Sequence, residues 1–230
     1  MIAKISLLLF LFISCNSRAQ ESAAFAPQSI YDADTVVWFG ADFTFFKLTD
    51  PRKVNEDDKL LEYVFAWNEE YKYGLSNVKL ASLLEKKKVI NDKEFTDAIT
   101  NDFKVKPWIQ AERNTISIED IQLHLNDIES SNKGLGLIYI IENFYKDLPA
   151  ELNGYFVWFD IETKKAIHFY QSSGYPNNDY YSTSYLSNSA SKRMPKSKGM
   201  TGYWYRGMID ATVEFTVEYK KGIKKPEKQY

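Results

Sequence analysis

Residues 135 to 171 restrict the fold of this chain more than any other stretch. LGLIYIIENF at 135–144 is a continuous apolar run of the kind seen in strands covered on both faces. YFVWFD at 155–160 is a second such run, Ile161-Glu162-Thr163-Lys164 makes a tight turn, and AIHFYQ at 166–171 follows. The pattern predicts a three-strand antiparallel meander.

The rest of the chain supplies further strand and helix signals. Thr35 to Leu48 is rich in β-branched and aromatic residues and predicts one long strand, with Gly40 as a bulge and Asp50-Pro51 as its end. From about Asp57 the period changes. Leu60, Leu61, Val64, Phe65 and Trp67 form an apolar helical stripe that should stop at Gly74, a left-handed cap position. A second helix starts at Ser76 or Asn77, turns Val78, Leu80, Leu83 and Leu84 inward, and carries Lys86 to Lys88 in its last turn. Val89-Ile90 reads as a short strand, Lys93 to Phe103 as a helix, and Pro107-Trp108 as an anchored loop. Ser117 to Asp120 opens a further helix with Ile118, Ile121, Leu125 and Ile128 on one face. A strand through Ile121, Leu123 and Leu125 also fits the alternation; the helix is preferred. Gly202 to Tyr219 places Trp204, Met208, Phe215 and Tyr219 at helical spacing, and a basic tail follows from Lys220. The expected fold is a single α+β domain over 34–222, an antiparallel or mixed sheet of four to five strands with helices packed on it.

The first nineteen residues, MIAKISLLLFLFISCNSRA, read as an export leader: a Lys4 start, an apolar stretch too short for a stable transmembrane helix, then small residues. Ser17-Arg18-Ala19 offers a signal-peptidase site. Leu11 to Cys15 offers a loose lipobox instead, in which Cys15 would be lipidated and would hold the protein to a membrane. Residues 20–33 read as a tether and 223–230 as a solvated basic tail. The setting expected is therefore the periplasm, the outer membrane or the exterior. Cys15 is the only cysteine, so stability after export must come from packing without an internal disulfide. Twenty-nine basic against 31 acidic residues, a net charge of −2, argue against a nucleic-acid partner.

The strings GLGLIYIIENF, GYFVWFDIETKKAIHF and GYWYRGMI, spread over residues 134–209, resemble a group of uncharacterised exported bacterial proteins. In those, two buried strands, an Asp-x-x-Thr hairpin and a Trp-bearing final helix recur. More distantly the layout looks like periplasmic α/β lipoproteins that activate or assemble envelope machinery. The resemblance implies a fold and an envelope setting, and it carries over no catalytic residue.

Motifs for chemistry are sparse. The two histidines, His124 and His168, have no HExxH or cysteine pair beside them, so neither a metal nor another cofactor is expected. Gln171-Ser172-Ser173-Gly174 lacks the geometry of a nucleophile elbow, and Gly134-Leu135-Gly136 precedes a strand rather than a helix. Two strand-borne acids remain. Asp160 or Glu142 among large hydrophobes could serve as a general acid with a second, unidentified carboxylate. Against this, Asp160 stands where a hairpin needs an acceptor for its own amides, and Glu142 reads as the start of a frayed strand end. Asp32 and Asp34 lack the rest of a calcium loop and read as solvated.

Ser172 to Thr201 is a polar loop without hydrophobic periodicity. Its Tyr175, Tyr180, Tyr181 and Tyr185 could stack on a sugar ring or grip a partner strand, since tyrosine offers rigid area at low entropic cost. The functional expectation is an exported, non-catalytic binding or assembly component that meets an envelope protein or a glycan. The alternative is a glycan-directed hydrolase using Asp160 or Glu142.

Overall fold

The apolar run at the centre of the meander, β5 (Leu135–Tyr145), is the strand along which the sheet is arranged. A computed structural model describes residues 26–49, 59–92, 94–95, 109–110, 112–146, 149–176 and 200–223. On one edge of β5 lies β6 (Glu151–Asp160), antiparallel from Leu135↔Asp160 to Tyr145↔Glu151, and β7 (Ala166–Gly174) continues antiparallel beyond it. The other edge is shared. β1 (Thr35–Asp42) runs parallel to the first half, ending at Asp42↔Ile140, and β2 (Lys47–Thr49) takes the second half, from Lys47↔Asn143 to Thr49↔Tyr145. β3 (Lys88–Asn91) flanks β1 and β4 (Ile109–Gln110) flanks β2, both parallel. The seven strands thus occupy a mixed sheet five positions wide, with helices on it: an α+β single domain.

The predicted strand over 35–48 is two segments, and its own residues explain the break. Gly40 adopts a φ of 84° at a register shift between Trp38 and Ala41. Asp42 then turns the chain: its Oδ1 accepts the Thr44 amide at 2.8 Å, and the Phe46 amide donates to the Phe43 carbonyl at 3.0 Å. Phe43 and Phe46 are both buried in the large aromatic cluster, so the turn is held by packing as well.

Side-chain alternation divides the sheet into two faces. One face presents Trp38, Leu137, Tyr139, Phe156 and Trp158 to α2 (Leu60–Gly74), α3 (Asn77–Leu83) and α5 (Met200–Ile223). Tyr139 and Phe156 stack at 4.0 Å, and Phe156 stacks on Phe215 of α5 at 4.2 Å, which ties two strands and a helix through three parallel rings. The opposite face presents Val37, Phe39, Ile138, Ile140, Val157 and Phe159 to α4 (Ile118–Asn126), whose Ile121 and Leu125 are fully buried. The helical reading of 117–128 therefore holds over the strand reading. A capping box starts α4: the Asp120 amide donates to Ser117 Oγ at 3.0 Å and the Ser117 amide to Asp120 Oδ2 at 3.2 Å.

Further expectations need correction. Residues 28–32, read as tether, form a short helix, α1 (Gln28–Asp32), with Ile30 fully buried in the aromatic-face core. Lys86 does not extend α3. The chain turns at Glu85 with a φ of 54°, Lys86 is buried, and its ammonium donates to the Ile30 and Tyr31 carbonyls at the C-terminal end of α1. Burial pushes that ammonium down to about 8, partly offset by Asp32 and Asp34. Gly74 is the last residue of α2 rather than a left-handed cap, and a Cβ there would lie 1.8 Å from the Tyr205 hydroxyl, so glycine serves close packing against α5. Ser172 and Ser173 belong to β7, and α5 begins at Met200, which shortens the polar loop at both ends.

Candidate functional site

Asp160 closes the β6–β7 hairpin. Its Oδ1 accepts both the amide and the hydroxyl of Thr163 at 2.7 Å, and these bonds, with the Glu162 amide, hold its carboxyl below the usual range despite slight desolvation. Glu142 sits inside β5 rather than at a frayed end. It is the extra residue of a β-bulge between Ile141 and Asn143, is buried, and accepts the Ile116 amide at 2.8 Å. Burial pushes its carboxyl up, with the Ile116 bond acting against it. Asp160 pairs with Leu135, and Glu142 lies seven residues further along the strand. At about 3.3 Å per residue the two backbone positions lie roughly 23 Å apart along the sheet, far beyond what the separation of about 5–9.5 Å between paired glycosidase acids allows. They do not form one site.

The structure brings together a polar pair that the sequence did not suggest. Asp42, fully buried where β1 ends, meets His124 of α4 through Oδ2 and Nε2 at 2.5 Å. Burial alone would raise the Asp42 carboxyl; the His124 hydrogen bond and charge, with the bonds from Thr44, outweigh it and hold it low. Burial likewise opposes the His124 charge, and Asp42, helped by Asp127, raises it. Phe45 packs edge-on against the imidazole with ring centroids 5.3 Å apart. Nearby, Asn114 donates to the Phe45 carbonyl at 3.0 Å, and Asn143 donates to the Asn114 carbonyl at 3.3 Å. These bonds strap residues 114–116 across the gap between β1 and β2. The one available signal was an acid inside an apolar strand two residues before Thr44.

The second feature is a cavity of about 300 Å³ at the outer edge of the aromatic face, between α1, β7 and α5. Its walls are rings: Tyr31, Trp158, Tyr170, Phe215 and Tyr219. Trp158 and Tyr219 lie nearly parallel at 5.6 Å, and Tyr31 and Tyr219 meet at 5.0 Å. His168, Gln171, Glu214 and Glu218 bring the polar atoms. β7 places His168 and Tyr170 on the same face because they are two residues apart in a strand; α5 places Glu214, Phe215, Glu218 and Tyr219 together because they are three or four apart in a helix. Burial pushes the His168 imidazole down, which favours its neutral form. Burial, with the charges of Glu214 and Glu218, pushes the Tyr170 hydroxyl well up.

Of the tyrosines singled out in the polar loop, Tyr175 lies at the end of β7. It is partly exposed, and its amide donates to Asp210 Oδ2 at 2.9 Å, which pins it to α5. Tyr180, Tyr181, Tyr185, Cys15 and the whole leader lie outside the described residues. Among the described residues, no group of three His, Cys, Asp or Glu side chains is placed to hold a metal ion, and no helix is long and apolar enough to cross a membrane. No family model, curated protein or solved structure matches this chain.

Proposed function

We propose that this protein is exported to the cell envelope and works there as a non-catalytic binding or assembly component, with the ring-lined cavity as its recognition site. The observation that carries the reading is the cavity itself. It is concave and largely aromatic with a few polar groups at defined positions, the arrangement that small-ligand sites favour. The two acids considered for catalysis support the same reading, since each is engaged by nearby backbone, Asp160 by its own turn and Glu142 by Ile116. The leader supports export, and Cys15 supports a lipid anchor as the form that membrane attachment would take.

The alternative, a glycan hydrolase, draws on Glu142, whose buried carboxyl is pushed towards its protonated form as a general acid requires. One experiment separates the two. The full chain is expressed with a C-terminal tag in a bacterial host, fractionated, and the envelope form is weighed by mass spectrometry. It is then incubated with envelope glycan, alongside Glu142→Gln. Leader removal or acylation at Cys15, with no glycan turnover, is the expected result. Recovery in the cytosol with Met1 intact would overturn export, and turnover abolished by Glu142→Gln would establish the hydrolase.

A further inference from the structure

We propose that the cavity between α1, β7 and α5 takes an organic cation, an alkylammonium group. This rests on the reading of that cavity as a recognition site and names the chemistry of its ligand. Two independent observations point to it.

The first is the charge around the opening. The formal charges on the walls are Glu214 and Glu218, both negative, four residues apart on one face of α5. Glu214 uses a single oxygen, Oε2, for its bonds to the Ser173 amide at 3.0 Å and the Ser172 hydroxyl at 3.2 Å. Glu218 meets Lys221 through Oε1 only. Each carboxylate therefore keeps an oxygen for a ligand. A neutral ligand leaves the repulsion between the two acids in place; a cation relieves it.

The second is the wall itself. Aromatic faces carry negative quadrupole potential and hold ammonium groups, most strongly when Trp and Tyr rings surround them. Trp158, Tyr170, Tyr31 and Tyr219 supply that surface. The protein already places one ammonium against these rings, since Lys86 Nζ stands 5.7 Å from the Tyr219 centroid.

The volume of about 300 Å³ suits a small alkylammonium ion or the headgroup of a larger molecule.

Titration calorimetry of the purified full chain tests this with three probes: choline chloride, its uncharged isostere 3,3-dimethylbutan-1-ol, and N-acetylglucosamine. Choline should bind at least tenfold more tightly than the isostere and weaken as sodium chloride rises. Tyr170→Leu and Glu214→Gln should each weaken choline five- to tenfold. Gln at 214 keeps an oxygen for Ser172 and Ser173, and Glu218→Gln offers a second test at a more exposed position should Glu214→Gln fail to fold. Equal binding of choline and isostere, or a preference for the sugar, with sensitivity to Tyr170→Leu, would sink the cation while leaving the cavity as a binding site. Binding of none of the three to a protein with an intact thermal transition would remove both.

Discussion

The two faces of the sheet solve the problem of filling space in opposite ways. The α2–α5 face is built from rings, with Trp67, Trp158, Trp204, Tyr71, Tyr139 and Phe215 all essentially inaccessible. The α4 face is mainly aliphatic and buries two acids, Asp42 and Glu142, with His124 against the first. Large rings at fixed angles leave an unfilled corner where the sheet ends, which is where the cavity lies. Small aliphatics fill evenly, and that face accommodates a bonded polar pair. The lesson is that the stabilising rings and the proposed recognition cavity share the aromatic face, whereas the polar pair on the other face serves to place a helix and a strand end.

The sharpest way to break this contrast is to remove a ring. Phe215→Ala deletes one layer of the three-ring stack and should cost about 4 kcal/mol, read as a lower urea midpoint with an unchanged slope. A loss below about 1 kcal/mol would mean that the rings are not the main packing element. On the other face, His124→Leu strands a fully buried carboxylate and should cost about 3 kcal/mol. Adding Asp42→Val to that variant should recover most of the loss, because the pair contributes placement more than net stability. A double variant no better than the single would show that the pair itself stabilises the fold.

A gentler probe is pH. His124 is raised above its ordinary 6.5, so its contribution is complete below that value and fades as pH climbs through the folded one. Asp42 is lowered from 3.8, so its contribution is complete above that value and fades as pH falls through the folded one. Thermal unfolding should therefore show a stability plateau between about pH 4 and 6.5 that is flattened in the Asp42→Val, His124→Leu variant. The smallest effect expected is at the hairpin: Asp160→Asn should lower stability by about 0.5 kcal/mol without altering ligand binding, since an amide oxygen still accepts from Thr163 less strongly than a carboxylate does. Differential scanning calorimetry resolves a change of that size.

What the sequence showed and what it hid follow the range of the interactions involved. The meander, α2, α3, β3 and α5 were legible because apolar period and turn residues report on neighbours a few positions away. The interruption after Asp42 was missed because β-propensity stays high through Phe46; what decides it is an aspartate bonding two residues ahead, then two rings reaching into a distant cluster. The docking of α1 was missed because it depends on Lys86, some 55 residues away in the chain. The Asp42–His124 pair spans 82 positions. The cavity walls come from four separated segments, so no local pattern could disclose them. Glu142 was picked out as an acid in an apolar strand, yet its partner amide at Ile116 was not, since nothing in the run predicts a bulge.

The close approach of β7 and α5 carries a consequence for how this chain tolerates change. A Cβ on Gly174 would fall 1.9 Å from the Gly207 carbonyl oxygen, and Arg206 Nε donates to the Pro176 carbonyl at 3.2 Å. Seven residues of helix separate Gly207 from Met200, about 10 Å at 1.5 Å per residue, so Pro176 and Met200, the described ends that flank residues 177–199, both lie close to this contact. When the scaffold holds the two ends of a segment this near one another, doubling the segment's length costs only about 0.6 kcal/mol of closure entropy. Evolution, or an engineer, can therefore lengthen the chain between these two ends at little entropic cost.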